Sequence, residues 1–307
     1  MLSRVAQNIY WLARYTERAE NTARLIGVST HLQLDLPRAV RPGWSPIIAI
    51  TGGDELYRSH YQGYSEVDVV RFLILDDHNP SSLINCLKWA RESARTIRDF
   101  LPRESWEQLN ESHQLACEEQ YRGLAQRTRY AYLSRVIQSI QGLTGVLAGT
   151  MSHDAGYAFL RIGRNLERAD MTTRIIDVRG DDLLPESSEL HPYESIQWMS
   201  VLKSLSGYQM YRRQMQQAIG WGPVLNFLFK DRQFPRAVGF CVAELRSELE
   251  QLPRSEEALE LATALLEEIS QIDPDHLDPE GLHRLIDHLQ LQLGTLHQAI
   301  SEGYFSY

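Results

Sequence analysis

What this chain lacks narrows its reading first. It has three cysteines in 307 residues, Cys86, Cys117 and Cys241. The number is odd, no two are spaced C-x-x-C, and none sits in a zinc spacing. A disulfide framework and a zinc ribbon are therefore excluded, and the expectation is reduced thiols in a cytoplasmic protein. It lacks a positive excess: 31 Lys and Arg against 40 Asp and Glu give a formal net charge of −9, which argues against a general nucleic-acid-binding face. It lacks an apolar run long enough to span a bilayer. The N-terminal MLSRVAQNIYWLARY has neither the uninterrupted apolar stretch nor the small-residue cleavage site of a secretory leader. It has no G-x-x-x-x-G-K-[ST] and no G-x-G-x-x-G loop, so nucleotide binding by this chain is not expected, and no cofactor is. Alternating β-branched runs are also missing. What remains is ordinary globular composition, 43% hydrophobic and 23% charged, enough for a substantial core in one large domain or two of usual size.

What is there repeats. IYWLARYTERAENTARLI aligns with FLRIGRNLERADMTTRII, pairing Arg14 with Arg164, Glu17 with Glu167, Arg18 with Arg168, Glu20 with Asp170 and Arg24 with Arg174, a shift of 150 positions. Three further landmarks follow in the same order. Trp44, Gly53, Tyr57 and Arg58 meet Trp198, Gly207, Tyr211 and Arg212. Phe72, Asp76, Pro80 and Cys86 meet Phe227, Asp231, Pro235 and Cys241, and the tripeptide LPR at Leu101 recurs at Leu252. Ordered matches at a nearly constant shift are the signature of duplication. The expected organisation is a first helical repeat over 1–150 and a second over 151–307, packed as one compact all-α bundle about a pseudo-twofold axis.

The coarse pattern is helix nearly throughout. A first helix is expected from about Ser3 to Leu34, with its counterpart from about Ser152 to Val178. Each is followed by a Pro- or Gly-containing loop, DLPRAVRPGWSP or RGDDLLPESSELHP. VDVVRFLIL and GPVLNFLFK are short and apolar and read as buried helix rather than strand. Pro80 and Pro235 are expected in the first turn of the next helix, where proline is tolerated. Long final helices are expected over about Leu124–Gly149 and Pro279–Glu302.

At 100° per residue, Ile9, Leu12, Ala13, Thr16, Ala19, Ala23 and Ile26 share one face of the first helix, and Ala13/Gly163 and Ala19/Ala169 permit close helix approach. Glu17 and Arg24 fall near the edge of this stripe, Glu20 at it, and Arg14 and Arg18 on the far side. An exposed i,i+4 pair such as Glu20–Arg24 or Asp170–Arg174 stabilises a helix by only a few tenths of a kcal/mol, too little to explain the same charges in both halves. Three readings stay open. The charges form a buried structural network, whose breaking leaves an unpaired charge. They line a cleft, with Arg14, Arg18, Arg24, Arg164, Arg168 and Arg174, together with Glu20 and Asp170, holding an anion or zwitterion. Or they are a surface coincidence.

SRVAQNIYWLARYTERAENTARLI, RIGRNLERADMTTRIID and the closing LHQAISEGYFSY resemble the Alpha-E family, bacterial all-helical domains of unresolved function, over essentially the whole chain. Ala13 stands where the family's first block has Gly; Gly163 fills that place in the second. The resemblance implies a setting: such proteins accompany, or are fused to, a circularly permuted ATP-grasp protein and often travel with a transglutaminase-like cysteine peptidase, some near the proteasome-like peptidase Anbu. It implies a helper or substrate-presenting partner of an ATP-grasp ligase in peptide or amide metabolism. The alternatives are an enzyme of the same pathway, with Glu17 or Glu167 as general acid or base and the arginines holding the anion, and a purely structural adaptor.

Other chemistries are weaker. Glu280 and His283 form one half of a di-iron motif with no second copy, and arginines interleave the Glu17/Glu20 and Glu167/Asp170 carboxylates, so no metal is expected. Cys86 and Cys241 occupy matched apolar positions, which favours packing, and His113 with Cys117 reads as incidental. Ser152, His153 and Asp154 are adjacent in sequence, whereas a triad converges from separate elements, so SHDAGY reads as a helix cap. Tyr10, Tyr15, Tyr57 and Tyr211 read as core or rim packing before partner surface.

Overall fold

The computed structural model describes residues 2–37, 41–182 and 193–305. Among the described residues the regular structure is fifteen α-helices with short 3-10 turns and no strand. The chain divides into two compact units. The first comprises Met1–Thr30, Gly43–Arg164 and Tyr304–Tyr307; the second comprises His31–Pro42 and Asn165–Gly303.

The first unit holds most of α1 (Ser3–Asp35), then α2 (Ser45–Ile50), α3 (Asp54–His60), α4 (Glu66–Ile74), α5 (Leu83–Thr96), α6 (Arg103–Glu118), α7 (Gln120–Leu124), α8 (Gln126–Thr150) and the opening of α9 (Ala155–Asp182). VDVVRFLIL is α4, and Val69, Val70, Phe72, Leu73 and Ile74 are all buried. Ser65 caps α4 by accepting the Asp68 N–H, and Ser82 caps α5 by accepting the Asn85 N–H. SHDAGY is a cap as expected: Asp154 Oδ1 accepts the N–H groups of Gly156 at 2.8 Å and Tyr157 at 3.4 Å.

The second unit holds the rest of α9 with α10 (Glu194–Ser204), α11 (Tyr208–Met215), α12 (Trp221–Lys230), α13 (Val238–Leu249), α14 (Glu256–Gln271) and α15 (Pro279–Tyr304) up to Gly303. GPVLNFLFK lies within α12, and Val224, Leu225, Phe227, Leu228 and Phe229 are buried. The loop read at DLPRAVRPGWSP falls partly, and the one read at RGDDLLPESSELHP largely, outside the described residues.

Pro80 and Pro235 correct one expectation. The helices that follow begin at Leu83 and Val238, so both prolines sit in the preceding turn. An aspartate closes each turn ahead of the proline. Asp76 Oδ1 accepts the His78 N–H at 2.9 Å, and Asp231 Oδ1 accepts the N–H groups of Gln233 at 2.8 Å and Phe234 at 2.6 Å. Proline's fixed φ then serves the turn rather than the helix start.

The expected stripe on α1 is buried at Ile9, Leu12, Ala13, Ala19, Ala23 and Ile26, but burial does not stop at the stripe. No residue from 5 to 30 is exposed, and none from 156 to 178. Neither stretch presents a fully exposed face, and the one-sided wheel fails for that reason. Arg14, placed on the far side, is 8% exposed. The close approach expected of the small residues is real: a Cβ on Gly163 would lie 2.4 Å from the Tyr10 carbonyl oxygen and 3.3 Å from the Ala13 Cβ.

Candidate functional site

On α1 the charged side chains are held within the first unit. Glu17 and Glu20 are 4% and 3% exposed. Burying a carboxylate unpaired would cost far more than a fold can spare, so such groups are buried only with partners. Arg24 donates through Nε at 2.9 Å and Nη2 at 2.6 Å to Glu20 Oε1, and Gln141 of α8 donates to the same oxygen at 3.4 Å. Arg14 donates to the Tyr10 hydroxyl at 3.2 Å and lies 5.3 Å from the Trp11 ring centre, a cation held against aromatic faces. Tyr10 in turn packs on Phe305 with ring centres 5.2 Å apart. Arg18 is half-buried and donates to Ser81 Oγ at 3.4 Å. Glu20 is thus paired and, like Glu17, almost closed to solvent.

On α9, Arg164 is half-buried in the first unit. In the second unit Glu167 is 1% exposed and Arg168 is half-buried. Thr172 donates to the Arg236 carbonyl at 2.8 Å, tying α9 to the turn before α13. Arg174 donates through Nε to Asp170 Oδ2 at 3.0 Å. Three residues on, Asp177 Oδ1 meets His283 Nδ1 of α15 at 2.7 Å, and His283 Nε2 lies 3.7 Å from Asp287. Beside this chain runs an open groove of about 660 Å³, with Arg174 on one wall and Asp287, Leu291, Gly294 and Gln298 of α15 on the other.

Sequence reasoning missed Arg129 of α8. Its side chain is 1% exposed, yet it carries a full charge. Nε and Nη2 donate to the Gly123 and Leu124 carbonyls at 2.9 Å each, and Nη1 donates to Thr30 Oγ1 at 3.1 Å and to Glu66 Oε1 at 2.7 Å. No repeated motif marks Arg129, so the alignment of halves could not single it out. The groove escaped too, because its α15 residues lie outside the aligned blocks.

The remaining candidates resolve simply. Glu280 is 86% exposed and pairs with Arg284, apart from the His283–Asp177 contact; among the described residues no group of three His, Cys, Asp or Glu is placed to hold a metal. Cys86 and Cys241 are buried. Cys117 Sγ lies 3.6 Å from His113 Nε2. Burial raises the Cys117 thiol, with Glu118 adding, and burial with Arg91 and Lys88 lowers the His113 imidazole, so the pair is neutral, the opposite of an activated thiolate. Tyr57 and Tyr211 are buried and donate to the Gly63 and Ala218 carbonyls at 3.1 and 2.8 Å; burial first, with Asp68 and Tyr64 adding, pushes the Tyr57 phenol up to about 12. They pin loops.

Comparison with known proteins matches residues 1–305 to the Alpha-E family, described as a predicted alpha-helical domain with a conserved ER motif. The dipeptide Glu–Arg occurs at 17–18 and again at 167–168. An uncharacterised protein of Mycobacterium bovis is 25% identical over 271 residues, which is 82% of this chain and 30% of that protein. An uncharacterised protein of Mycobacterium tuberculosis is 24% identical over the same length, with the same shares covered. The chain thus spans about 30% of the length of the curated relatives it matches. No solved structure matches. No helix among the described residues is long and apolar enough to cross a membrane.

Proposed function

The chain belongs to the Alpha-E family, and from that premise we propose that it is a helper that binds and presents a substrate to an ATP-grasp ligase in peptide or amide metabolism in the bacterial cytoplasm. The observation that carries this reading is the burial of Glu17, Glu20 and Glu167, at 4%, 3% and 1% exposure. A general acid or base must come within hydrogen-bond reach of its substrate, and these carboxylates are enclosed by their own fold. Burial counts against an enzyme built on Glu17 or Glu167 and favours a rigid scaffold that holds a binding surface elsewhere. The relatives support a helper too, because the matched region is less than a third of their length, as expected of a module working beside other domains. The ATP-grasp partner, and a transglutaminase-like peptidase beside it, come from the company that Alpha-E proteins keep.

The test mixes the purified chain with the circularly permuted ATP-grasp protein of the same source and follows co-elution and ATP turnover. The helper reading expects a stable complex and a changed turnover when the chain is added. Separate elution with unchanged turnover would leave the structural adaptor without this partner.

A further inference from the structure

The two i,i+4 pairs differ in what they leave free. Arg24 commits Nε and Nη2 to Glu20, Gln141 lies over the same oxygen, and the two side chains are 16% and 4% exposed. Asp170 is one methylene shorter than Glu20. Only Nε of Arg174 reaches it, and the exposures rise to 32% and 20%. Among the described residues neither Nη nitrogen of Arg174 has a partner. No side chain fills the gap from α15 at Gly294, where a Cβ would meet no atom within 4 Å. The forked end of Arg174 therefore faces the open groove.

We propose that this groove binds the carboxylate end of a short peptide. A guanidinium whose Nη pair is free matches a carboxylate in a two-bond fork. The rest of the lining selects against a multiply charged anion. Asp287 offsets the charge of Arg174, whereas Gln290 and Gln298 both donate and accept, as peptide amides require, and Thr295, whose hydroxyl donates to the Leu291 carbonyl at 3.0 Å, can accept. Leu291, 72% exposed, offers one apolar contact for a side chain. The choice of a peptide rests on the helper reading; the carboxylate does not.

The experiment titrates the full chain with N-acetyl-alanyl-alanine and with its C-terminal amide, read by calorimetry and by chemical-shift changes. The acid should saturate with a dissociation constant near about 1 mM, and the amide should bind at least about tenfold more weakly, having no charge to offer. Arg174→Gln should abolish the preference. Asp170→Glu, which restores the missing methylene, and Gly294→Gln, which supplies an amide as Gln141 does, should each weaken the acid about tenfold. Gly294 is exposed and unobstructed, so its variant keeps the test open if the others fold poorly. Equal binding of acid and amide, no saturation by about 10 mM, or a preference that survives Arg174→Gln would overturn the proposal. No ATP-grasp protein is present, so the two readings fail separately. Acid-selective binding without any effect on ATP turnover keeps the site and removes the helper role; an effect on turnover without acid-selective binding does the reverse.

Discussion

Arg129→Met replaces the most deeply buried cation described with an uncharged chain of similar reach. The loss can be worked from its contacts. The Gly123 and Leu124 carbonyls lie at the end of α7, a helix of five residues, and terminal carbonyls have no acceptor role within their own helix. Leaving each without its donor costs about 1–2 kcal/mol. Thr30 Oγ1 loses a charged donor and keeps its bond to the Ile26 carbonyl at 2.8 Å. Glu66 is 33% exposed and rehydrates, so its share is small. The Trp44 ring, 5.8 Å away, loses a cation–π partner. Together these give about 3–5 kcal/mol, which lowers the midpoint of the first unit's transition by roughly 6–20 °C. Thermal unfolding by circular dichroism and calorimetry measures this, with Glu66→Gln as a control expected within about 1 kcal/mol of the parent. An Arg129→Met protein within about 1 kcal/mol of the parent would refute the claim that this guanidinium ties the unit together.

Three more outcomes follow from single contacts. Gly163→Ala drives a Cβ to 2.4 Å from the Tyr10 carbonyl oxygen, and since backbone must move, equilibrium denaturation should show a loss of about 3 kcal/mol. Gly145→Ala meets open space on the exposed face of α8 and should raise stability by about 0.5–1 kcal/mol in the same assay, because it removes only helix entropy. His113 is held neutral chiefly by burial, with its pKa lowered from 6.5. The unfolded chain then takes up its proton first as pH falls, so the stability His113 contributes is complete above about pH 6.5 and is lost below it. His113→Gln should flatten the fall in denaturation midpoint between about pH 7 and 5, and an unchanged slope would contradict this sign.

The all-α class was legible because both apolar runs that resembled strands lacked alternation, and SHDAGY was legible as the cap that Asp154 supplies. The α1 and α9 blocks were legible as charge that recurs. Their burial was not, because a helical wheel assumes one wet face, and residues 5–30 and 156–178 include no exposed one; Arg14 is the residue on which the wheel failed. Helix starts after Pro80 and Pro235 slipped because the turns that Asp76 and Asp231 tighten depend on three-dimensional closure. Arg129 joins groups 63 and 99 positions away in sequence, a relation no local pattern records. The free fork of Arg174 comes with a methylene fewer at Asp170, and the open space beside it with a missing side chain at Gly294. An absence of atoms has no motif.

On the reading proposed above, the α1 charges serve stability and Arg174 serves a ligand. Thermal unfolding of Glu17→Gln beside Arg174→Gln separates the two roles. Glu17 is 4% exposed, whereas the side chain of Arg174 is 32% exposed with one paired nitrogen. Glu17→Gln is expected to lose about 2–4 kcal/mol, as disturbing a buried carboxylate does, and Arg174→Gln to stay within about 0.5 kcal/mol of the parent. A Glu17→Gln protein as stable as the parent or more so, with Arg174→Gln the destabilised one, would contradict it. The buried block would then be held at no benefit to stability, as a functional site is, and the groove would be mere packing.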